Sequence, residues 1–234
     1  AWGDRRVTRA VRVAAFRPDD ERLAGAVELL ESLGATPVPD PMLAVEPTGA
    51  VPGDDGDDPA PDAVVLTSKT GVELLADAGW SPGDATLACI GPKTAAAARD
   101  AGWTVDLVPG EYSSSGLVAA LDGDVDGKRI TVARSDHGSD TLTDGLAAAG
   151  AAVDETVLYE LGRPAGAGDA AELAADGDRD GALFTSSLTV EHFLAAAEER
   201  GVRAAAVDGL ADAVVGAIGE PTRETAEAHG IAVE

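Results

Sequence analysis

Short apolar runs alternate with longer amphipathic stretches along most of the chain. Runs such as 63–66 and 87–90 are continuously apolar, which is typical of strands buried in a parallel sheet. Stretches such as 21–33 place apolar residues three and four positions apart, as an amphipathic helix does. Because the two kinds of segment alternate, the pattern predicts an α/β fold with helices on both faces of parallel sheets.

The same succession of segments occurs twice. Three segment types, each containing a strand, a polar or glycine-containing turn and a helix, follow one another in the order A, B, C and then A, B, C again. They begin at Val11, Ala63, Leu87, Lys128, Ala182 and Val214. The two A helices are expected to end at Gly34 and Gly150, as helices commonly do at glycine. The chain is therefore predicted to be a duplicated α/β protein.

The chain is strongly acidic. It carries 42 Asp and Glu against 17 Lys and Arg, for a formal net charge of −25 in 234 residues. A nucleic-acid-binding protein needs a basic face to neutralise phosphates, so we expect no nucleic-acid partner. An acidic surface with very few lysines indicates adaptation to a salt-rich cytoplasm, where salt screens the self-repulsion.

The remaining composition favours the cytoplasm. Cys89 is the single cysteine, so no internal disulfide can form. The apolar runs are too short to span a bilayer, so no membrane partner is expected. Charges at Arg9 and Arg12 follow the twin arginine Arg5–Arg6, which leaves no apolar signal core.

Two acidic segments resemble the start of a calcium loop. These are "DGDVDG" at 122–127 and "DGDRDG" at 176–181. The twelfth position, which needs a bidentate Glu, is Ala133 in the first and Ser187 in the second. Each segment also leads into a strand, so we interpret both as acidic turns.

Other motifs for cofactors and metals are weak. The G-x-G-x-x-A within 162–171 is separated from the preceding strand by Pro164, so we interpret it as a connector. His192 and His229 have no metal-ligand spacing and suit surface or capping positions. His137 follows a predicted strand, where ligand sites gather, and stays an open candidate. We expect neither a metal nor a cofactor.

Small hydrogen-bond donors recur where predicted strands lead into helices. They are Thr67, Ser68, Gly91, Thr94, Thr185, Ser186, Ser187, Gly219 and Thr222, with Arg17 and Arg134 in the same layer. Each site combines hydroxyl or backbone N–H groups with a helix N-terminus, which favours anions. Any single Ser or Thr could simply cap its helix. The repetition at matched positions indicates a site for a fairly large anion.

These segments resemble uroporphyrinogen-III synthases from about Val11 to the C-terminus. The resemblance rests on an ordered series of short motifs rather than on one specific signature. They are "FRP" at 16–18, "LTS" at 66–68, "IGPKTA" at 90–95, "VLYE" at 157–160, "FTS" at 184–186 and "AIGEPT" at 217–222.

The resemblance implies a two-domain architecture. Each domain would be a flavodoxin-like parallel sheet flanked by helices, joined by a two-stranded antiparallel connector. One domain would combine 11–38 with 162–234, and the other would be 44–157, with connecting strands at 39–43 and 158–161. The strand ends above would line a cleft between the domains.

The resemblance also implies an activity. Family members convert hydroxymethylbilane to uroporphyrinogen III with loss of water and inversion of the last ring, and need no metal or cofactor. Tyr159 would assist departure of the hydroxyl, or would otherwise only pack the connector and shape the cleft. The substrate-binding residues implied are Arg17, Ser68, Lys69, Thr94, Arg134, Ser186, Ser187 and Thr222. We expect a monomer that receives its substrate from hydroxymethylbilane synthase.

Two other classes fit parts of the pattern. A non-enzymatic two-domain protein that closes on a small anionic ligand would share duplicated halves and a cleft. A flavodoxin-like signalling domain would have an acidic cluster and a strand-end lysine in one domain, and the internal repeat argues against it.

Overall fold

The computed structural model describes residues 10–18, 20–53 and 59–234. Within them the chain forms two compact units. Unit 1 contains the described residues up to Ala44 together with Gly162–Glu234, and unit 2 is Val45–Leu161. The twin arginine and the middle of the acidic 47–61 loop lie outside the described residues.

Strands and helices alternate along the described chain. The strands are β1 (Arg12–Phe16), β2 (Thr36–Pro39), β3 (Ala44–Pro47), β4 (Ala63–Leu66), β5 (Thr86–Cys89), β6 (Arg129–Ser135), β7 (Ala152–Gly162), β8 (Gly181–Phe184) and β9 (Val214–Ala217). The helices are α1 (Glu21–Ser32), α2 (Lys69–Asp77), α3 (Pro92–Asp100), α4 (Ser114–Leu121), α5 (Asp140–Ala148), α6 (Asp169–Ala175), α7 (Ser187–Glu199), α8 (Arg203–Leu210) and α9 (Glu220–Ala228). This alternation confirms the predicted α/β class. Among the described residues, no helix combines the length and apolarity needed to cross a membrane.

Unit 1 is built on a four-stranded sheet in the order β2-β1-β8-β9, with parallel neighbours throughout. Successive residues of a strand point to opposite faces. One face carries Phe16 and Phe184, which stack with ring centroids 4.7 Å apart and contact Phe193 of α7. On the other face, Leu23 and Leu30 of α1 form a smaller cluster with the strand residues.

Unit 2 is built on a five-stranded sheet in the order β3-β7-β6-β4-β5. The pairs β7–β6, β6–β4 and β4–β5 are parallel. Every residue of β4 is buried, and its alternate side chains enter two different core clusters. Burial on both faces explains why this strand is a continuous apolar run in the sequence.

The two repeated A segments end their helices as predicted. Leu33 and Ala149 are the C-caps of α1 and α5. The glycines that follow, Gly34 and Gly150, have φ of +81° and +95°, a region that side chains with a Cβ disfavour. This geometry confirms the predicted helix ends.

Residues 40–43 differ from the connecting strand expected there. Strand β2 ends at Pro39, Pro41 has no N–H to donate to a strand ladder, and β3 begins only at Ala44. The Asp40 carboxylate instead accepts hydrogen bonds from the backbone N–H groups of Gly168 and Ala170, both at 2.8 Å, at the start of α6. The segment is thereby fixed to unit 1. The residues expected at 158–161 form the last part of β7, which lies beside β3.

The acidic turn at 176–181 has a buried centre. Asp178 pairs with Arg12, and an Asp180 oxygen accepts from the Arg12 backbone N–H at 2.8 Å. Between them, Arg179 is only 4% exposed, and its Nε and Nη2 have no hydrogen-bond partner among the described residues. Burial lowers the pKa of Arg179 to about 10. The turn therefore closes the amino end of the unit 1 sheet in addition to facing solvent.

Candidate functional site

The predicted ligand residues lie near the carboxyl ends of parallel strands. In unit 2, Leu66 of β4 pairs with Cys89 of β5 and Ala133 of β6, so the turns after these strands emerge side by side. In unit 1, Phe16 of β1 likewise pairs with Phe184 of β8. The predicted residues therefore form one set in each unit. Unit 2 holds Ser68, Lys69, Thr94, Arg134 and Tyr159, and unit 1 holds Arg17, Ser186, Ser187 and Thr222.

Ser68 and Tyr159 form a hydrogen-bonded pair. The two hydroxyl oxygens are 3.0 Å apart, and Tyr159 is 6% exposed. Ser68 is also the N-cap of α2, since its oxygen accepts from the Gly71 N–H at 2.9 Å. Two hydroxyls carry two protons, and the bond between them uses one. The pair therefore has one proton left to donate to a ligand.

Gly71 helps to hold this pair and was missed by the sequence reasoning. A Cβ at this position would lie 2.9 Å from Leu158 Cδ1 and 3.1 Å from Ser68 Oγ. A Cβ would displace the end of the Leu158 side chain and crowd the serine oxygen, so glycine leaves the pair undisturbed. The sequence signal was the difference between the two B segments, since the equivalent residue in the second copy is Thr189.

The helices α3 and α9 both begin at a glycine near the carboxyl edge of their sheet. The N-cap residues of α3 and α9 are Gly91 and Gly219, and neither helix has a capping hydrogen bond from a side chain of its N-cap. Thr94 and Thr222 occupy the equivalent third position of each helix and are 5% and 4% exposed. Apart from Pro92 and Pro221, which have no N–H, the backbone donors at these ends are therefore available to an anion.

Ser186 and Ser187 already make hydrogen bonds within unit 1. The Ser186 side chain caps α7 in a capping box with Thr189. The Ser187 hydroxyl donates to the Pro221 carbonyl at 3.1 Å and accepts from Thr225 at 2.9 Å, which ties α7 to α9. These contacts show a structural role for both serines, and their predicted role as ligands stays a prediction.

Arg134 is buried and paired. Its guanidinium contacts the Glu155 carboxylate and donates to the Ser139 carbonyl at 2.6 Å, with the side chain 6% exposed. Gly138 lies directly against it, because a Cβ there would be 2.2 Å from Arg134 Cδ. The positive charge is thereby neutralised inside unit 2, which favours a positioning role for Arg134.

The cations at the carboxyl edges differ in whether a carboxylate already neutralises them. Among the described residues, no carboxylate lies within ion-pair distance of Arg17 or Lys93, although acids greatly outnumber bases. Lys69, in contrast, pairs with Glu73 at 2.8 Å. Arg17 and Lys93 are therefore the better candidates to attract an anion.

The three histidines have different surroundings. His137, after β6, lies 3.6 Å from the Asp136 carboxylate, whose other oxygen accepts from the Leu161 N–H at 3.0 Å. The Nδ1 of His192 lies 2.5 Å from the Met42 carbonyl. Within the ranges that the structure describes, no group of three His, Cys, Asp or Glu is arranged to hold a metal ion.

Comparisons with known proteins identify relatives over most of the chain. The family model described as Uroporphyrinogen-III synthase HemD matches residues 25–234. A Methanothermobacter thermautotrophicus protein that carries a provisional uroporphyrinogen-III synthase name is 35% identical over 235 residues. That match covers 94% of this chain and 90% of the relative.

Solved structures share the fold. A mutant uroporphyrinogen III synthase of Thermus thermophilus has a TM-score of 0.65 at 24% identity, covering 96% of this chain and 91% of that chain. The uroporphyrinogen-III synthetase of Helicobacter pylori has a TM-score of 0.57 at 13% identity, covering 95% and 91%. Because the family model spans most of the chain and the archaeal relative aligns over nearly its full length, this chain belongs to the uroporphyrinogen-III synthase family.

Proposed function

We propose that this chain closes hydroxymethylbilane into uroporphyrinogen III, with loss of water and inversion of the last pyrrole ring. The observation that carries the proposal is the Ser68–Tyr159 pair, which keeps one hydroxyl proton for a ligand near the carboxyl ends of β4 and β7. A proton donor at a polyanion site suits a reaction in which a hydroxyl group must leave.

The donors at the carboxyl edges of the two units, each taken by itself, suit a substrate with eight carboxylates. The starts of α3 and α9, at Gly91 and Gly219, offer backbone N–H groups that hydrogen-bond carboxylates without bringing a charge. Arg17 and Lys93 add two positive charges that form no ion pair with a described carboxylate, although Asp20, which is held mainly by Arg22, also interacts with the charge of Arg17. We propose that these groups, with Thr94 and Thr222 at the same helix ends, bind the acetate and propionate arms.

Tyr159 and Ser68 would act on the first ring. The pyrrole nitrogen lone pair expels the hydroxyl group as the pair delivers a proton to its oxygen, so the C–O bond breaks and water leaves. The last pyrrole ring of the same substrate molecule then attacks the resulting electrophilic carbon. Because the Tyr159 hydroxyl donates to Ser68, the Ser68 hydroxyl would give its proton to the leaving oxygen, and Tyr159 would in turn donate to the Ser68 oxygen.

Positioning would decide which isomer forms. Attack by the α carbon of the last ring that already carries the methylene bridge forms a spiro centre. The original bridge bond then breaks and re-forms at the unsubstituted α carbon, which loses its proton, and the ring is thereby inverted. Direct attack by the unsubstituted α carbon, with loss of the same proton, gives the type I isomer. If the protein holds the first and last rings in one orientation, only one of the two α carbons of the last ring can reach the electrophilic carbon. Fixed backbone donors at helix ends suit this role, since they do not move with side-chain rotamers.

We further propose that this chain acts as a monomer in a salt-rich cytoplasm. We also propose that hydroxymethylbilane synthase passes its product directly to it. Free hydroxymethylbilane closes by itself to the type I isomer, so direct transfer would limit that loss. The excess of acidic residues supports the salt-rich setting.

The test is the isomer composition of the product. Freshly generated hydroxymethylbilane is supplied in concentrated KCl, and the oxidised porphyrins are separated by chromatography. A type III majority is expected with protein and the type I isomer without it. Type I alone, from protein shown to be folded in that salt, would contradict the proposal and favour a non-enzymatic protein that binds a small anion at the helix ends.

A further inference from the structure

An apolar groove lies between α1 and the unit 1 sheet. Its volume is about 280 Å³, and Ala15, Leu29, Leu30 and Leu183 contribute apolar surface to its lining. Leu29 and Leu183 are 60% and 38% exposed. The groove therefore presents two large aliphatic side chains to solvent.

The exposure of Leu183 is unusual for its position. Strand β8 lies between β1 and β9, and strands inside a parallel sheet are usually covered on both faces. Its neighbours Ala182 and Phe184, on the opposite face, are buried. On its own face, the adjacent residue of β9 is Gly216, where a Cβ would come within 3.0 Å of Leu183. The sheet thus leaves this leucine open to a ligand.

One end of the groove is polar and positively charged. Arg17 and Thr185, which follow β1 and β8, line it together with Arg22. Arg22 pairs with Asp20, whereas Arg17 has no ion pair among the described residues. The Thr185 hydroxyl donates to the Phe16 carbonyl at 2.7 Å, which fixes the two strand ends together. Arg17 does interact electrostatically with Asp20, but it forms no ion pair. A guanidinium without an ion pair, beside an apolar surface, is complementary to an apolar ring that bears a carboxylate.

We propose that this groove binds one pyrrole ring of the substrate, with the ring against Leu29 and Leu183 and a carboxylate arm on Arg17. This assignment rests on the proposed function. Sites for whole drug-sized ligands measure about 300–1,000 Å³, so a groove of this size holds one ring with its arms rather than a tetrapyrrole. Its charged end meets the carboxyl edge where the other donors of unit 1 lie, so the ring and the helix-bound carboxylates belong to one ligand.

The first test compares two leucines of the α1 segment. Leu29→Glu places a carboxylate in the groove, while Leu33→Glu makes the same change at a residue that is 74% exposed and outside it. We expect the KM for hydroxymethylbilane to rise about ten-fold for Leu29→Glu with kcat nearly unchanged, since binding is lost equally in ground and transition states. Leu33→Glu should leave both constants unchanged. Equal effects of the two variants, or no effect of either, would overturn the proposal.

The second test does not require turnover. Porphobilinogen, a single pyrrole with one acetate and one propionate arm, is titrated into methyl-labelled protein at millimolar concentration in the same salt. We expect the methyl signals of Leu29 and Leu183 to shift, those of Leu33 to stay, and Arg17→Gln to reduce the shifts. Unmoved Leu29 and Leu183 signals would overturn the groove assignment even if the enzyme makes the type III isomer. Shifts of these signals without type III product would contradict the proposed function but would still support binding of a pyrrole ring in the groove.

Discussion

The Ser68–Tyr159 contact joins two residues that lie 91 positions apart in the sequence. Neither hydroxyl is unusual alone, since Ser68 caps a helix and Tyr159 is almost buried in the unit 2 core. Together they form a hydrogen-bond donor. Because the Ser68 oxygen accepts from Tyr159 and from the Gly71 N–H, its own proton is left to donate to a ligand. If they act as one unit, removing either should cost nearly as much as removing both.

A double-mutant cycle measures that coupling. We expect Tyr159→Phe to lower kcat about 10- to 100-fold, the equivalent of one lost hydrogen bond to a charged group. Ser68→Ala should lower it similarly, and the double variant little further. Ser68→Thr retains the oxygen and its proton and should recover most of the rate. If the losses of kcat in the two single variants add up in the double variant, or if Tyr159→Phe leaves kcat unchanged, the two residues do not act as one catalytic unit.

Asp40 gives a pH-dependent prediction. Burial raises its pKa, although the two backbone N–H groups that it accepts from oppose the shift. Because the folded pKa is raised, its contribution to stability is full below the unfolded pKa and falls as pH rises through the folded value. We expect Asp40→Asn to lower the free energy of unfolding by about 1–3 kcal/mol at neutral pH, since the amide can accept only one of the two bonds.

The test for Asp40 is the difference in free energy of unfolding between wild type and Asp40→Asn, measured as a function of pH. Urea unfolding of wild type and Asp40→Asn from about pH 4 to 7 should show a gap that is larger in acid and smaller near neutral pH. Asp169→Asn is the matched control, because Asp169 lies in the first turn of α6, the helix that Asp40 caps, and its carboxylate is 82% exposed. It should change stability by less than about 1 kcal/mol. A gap that widens towards neutral pH would contradict the assigned direction of the shift.

Single residues also mark the limit of what the sequence could predict. Arg17 and Arg134 occupy equivalent places in the repeat, so the pattern predicted equivalent roles. The structure separates them, because Arg134 meets Glu155 on the neighbouring strand while Arg17 has no ion pair among the described residues. Asp40 likewise meets α6 from 128 positions away. Such partners depend on tertiary packing, which local periodicity does not encode.

At the scale of elements, each unit contains two ways to begin a helix at the carboxyl edge. The helices α2 and α7 are capped by their own serines, whereas α3 and α9 begin at glycine. The sequence placed donors at all four ends, because each has a small residue after an apolar run. It could not predict which N–H groups were already satisfied, since that depends on the side-chain geometry of the cap.

The start of α9 offers a test of this distinction. Gly219 has φ of −173°, extended backbone that any residue adopts, and a Cβ there would meet only Pro221 Cδ at 4.0 Å. We expect Gly219→Ser to supply a cap that stabilises the helix by a few tenths of a kcal/mol and competes with the substrate. Its KM should rise about three- to ten-fold.

Gly219→Ala is the control for the α9 prediction, because it adds the Cβ without an acceptor. Its KM should stay at the wild-type value. Steady-state kinetics of both variants in the same salt make the comparison. A rise in KM for the alanine variant as large as for the serine variant would indicate steric damage, and no rise for serine would show that these N–H groups do not bind the substrate.

The charge of −25 acts at the scale of the whole molecule. Like charges repel in the compact state, and salt shortens the range of that repulsion from about 10 Å at 0.1 M to about 3 Å at 1 M. The two α/β units and their repeat were predictable at this scale, because strand and helix periods are local and recur. The salt-rich setting is an inference from composition alone.

We therefore expect the free energy of unfolding to rise as KCl increases from about 0.1 to 3 M, with most of the gain at the lower end, where screening changes most. Urea unfolding at a series of salt concentrations measures it. Sucrose is the control, since it stabilises by exclusion from the surface and does not screen charge. Equal stability in low and high KCl would show that self-repulsion is not the dominant charge effect.

The glycine-started helices have a consequence for evolution. A peptide N–H belongs to every residue except proline, so a site built from helix starts keeps its donors while side chains change around it. Selection then acts on where the helix begins and hardly at all on which residues follow. Sequences could therefore diverge widely and still bind a carboxylate in the same way. If the helix starts bind the substrate as proposed, such a site would tolerate low sequence identity, and the solved structures that share the fold are 24% and 13% identical to this chain.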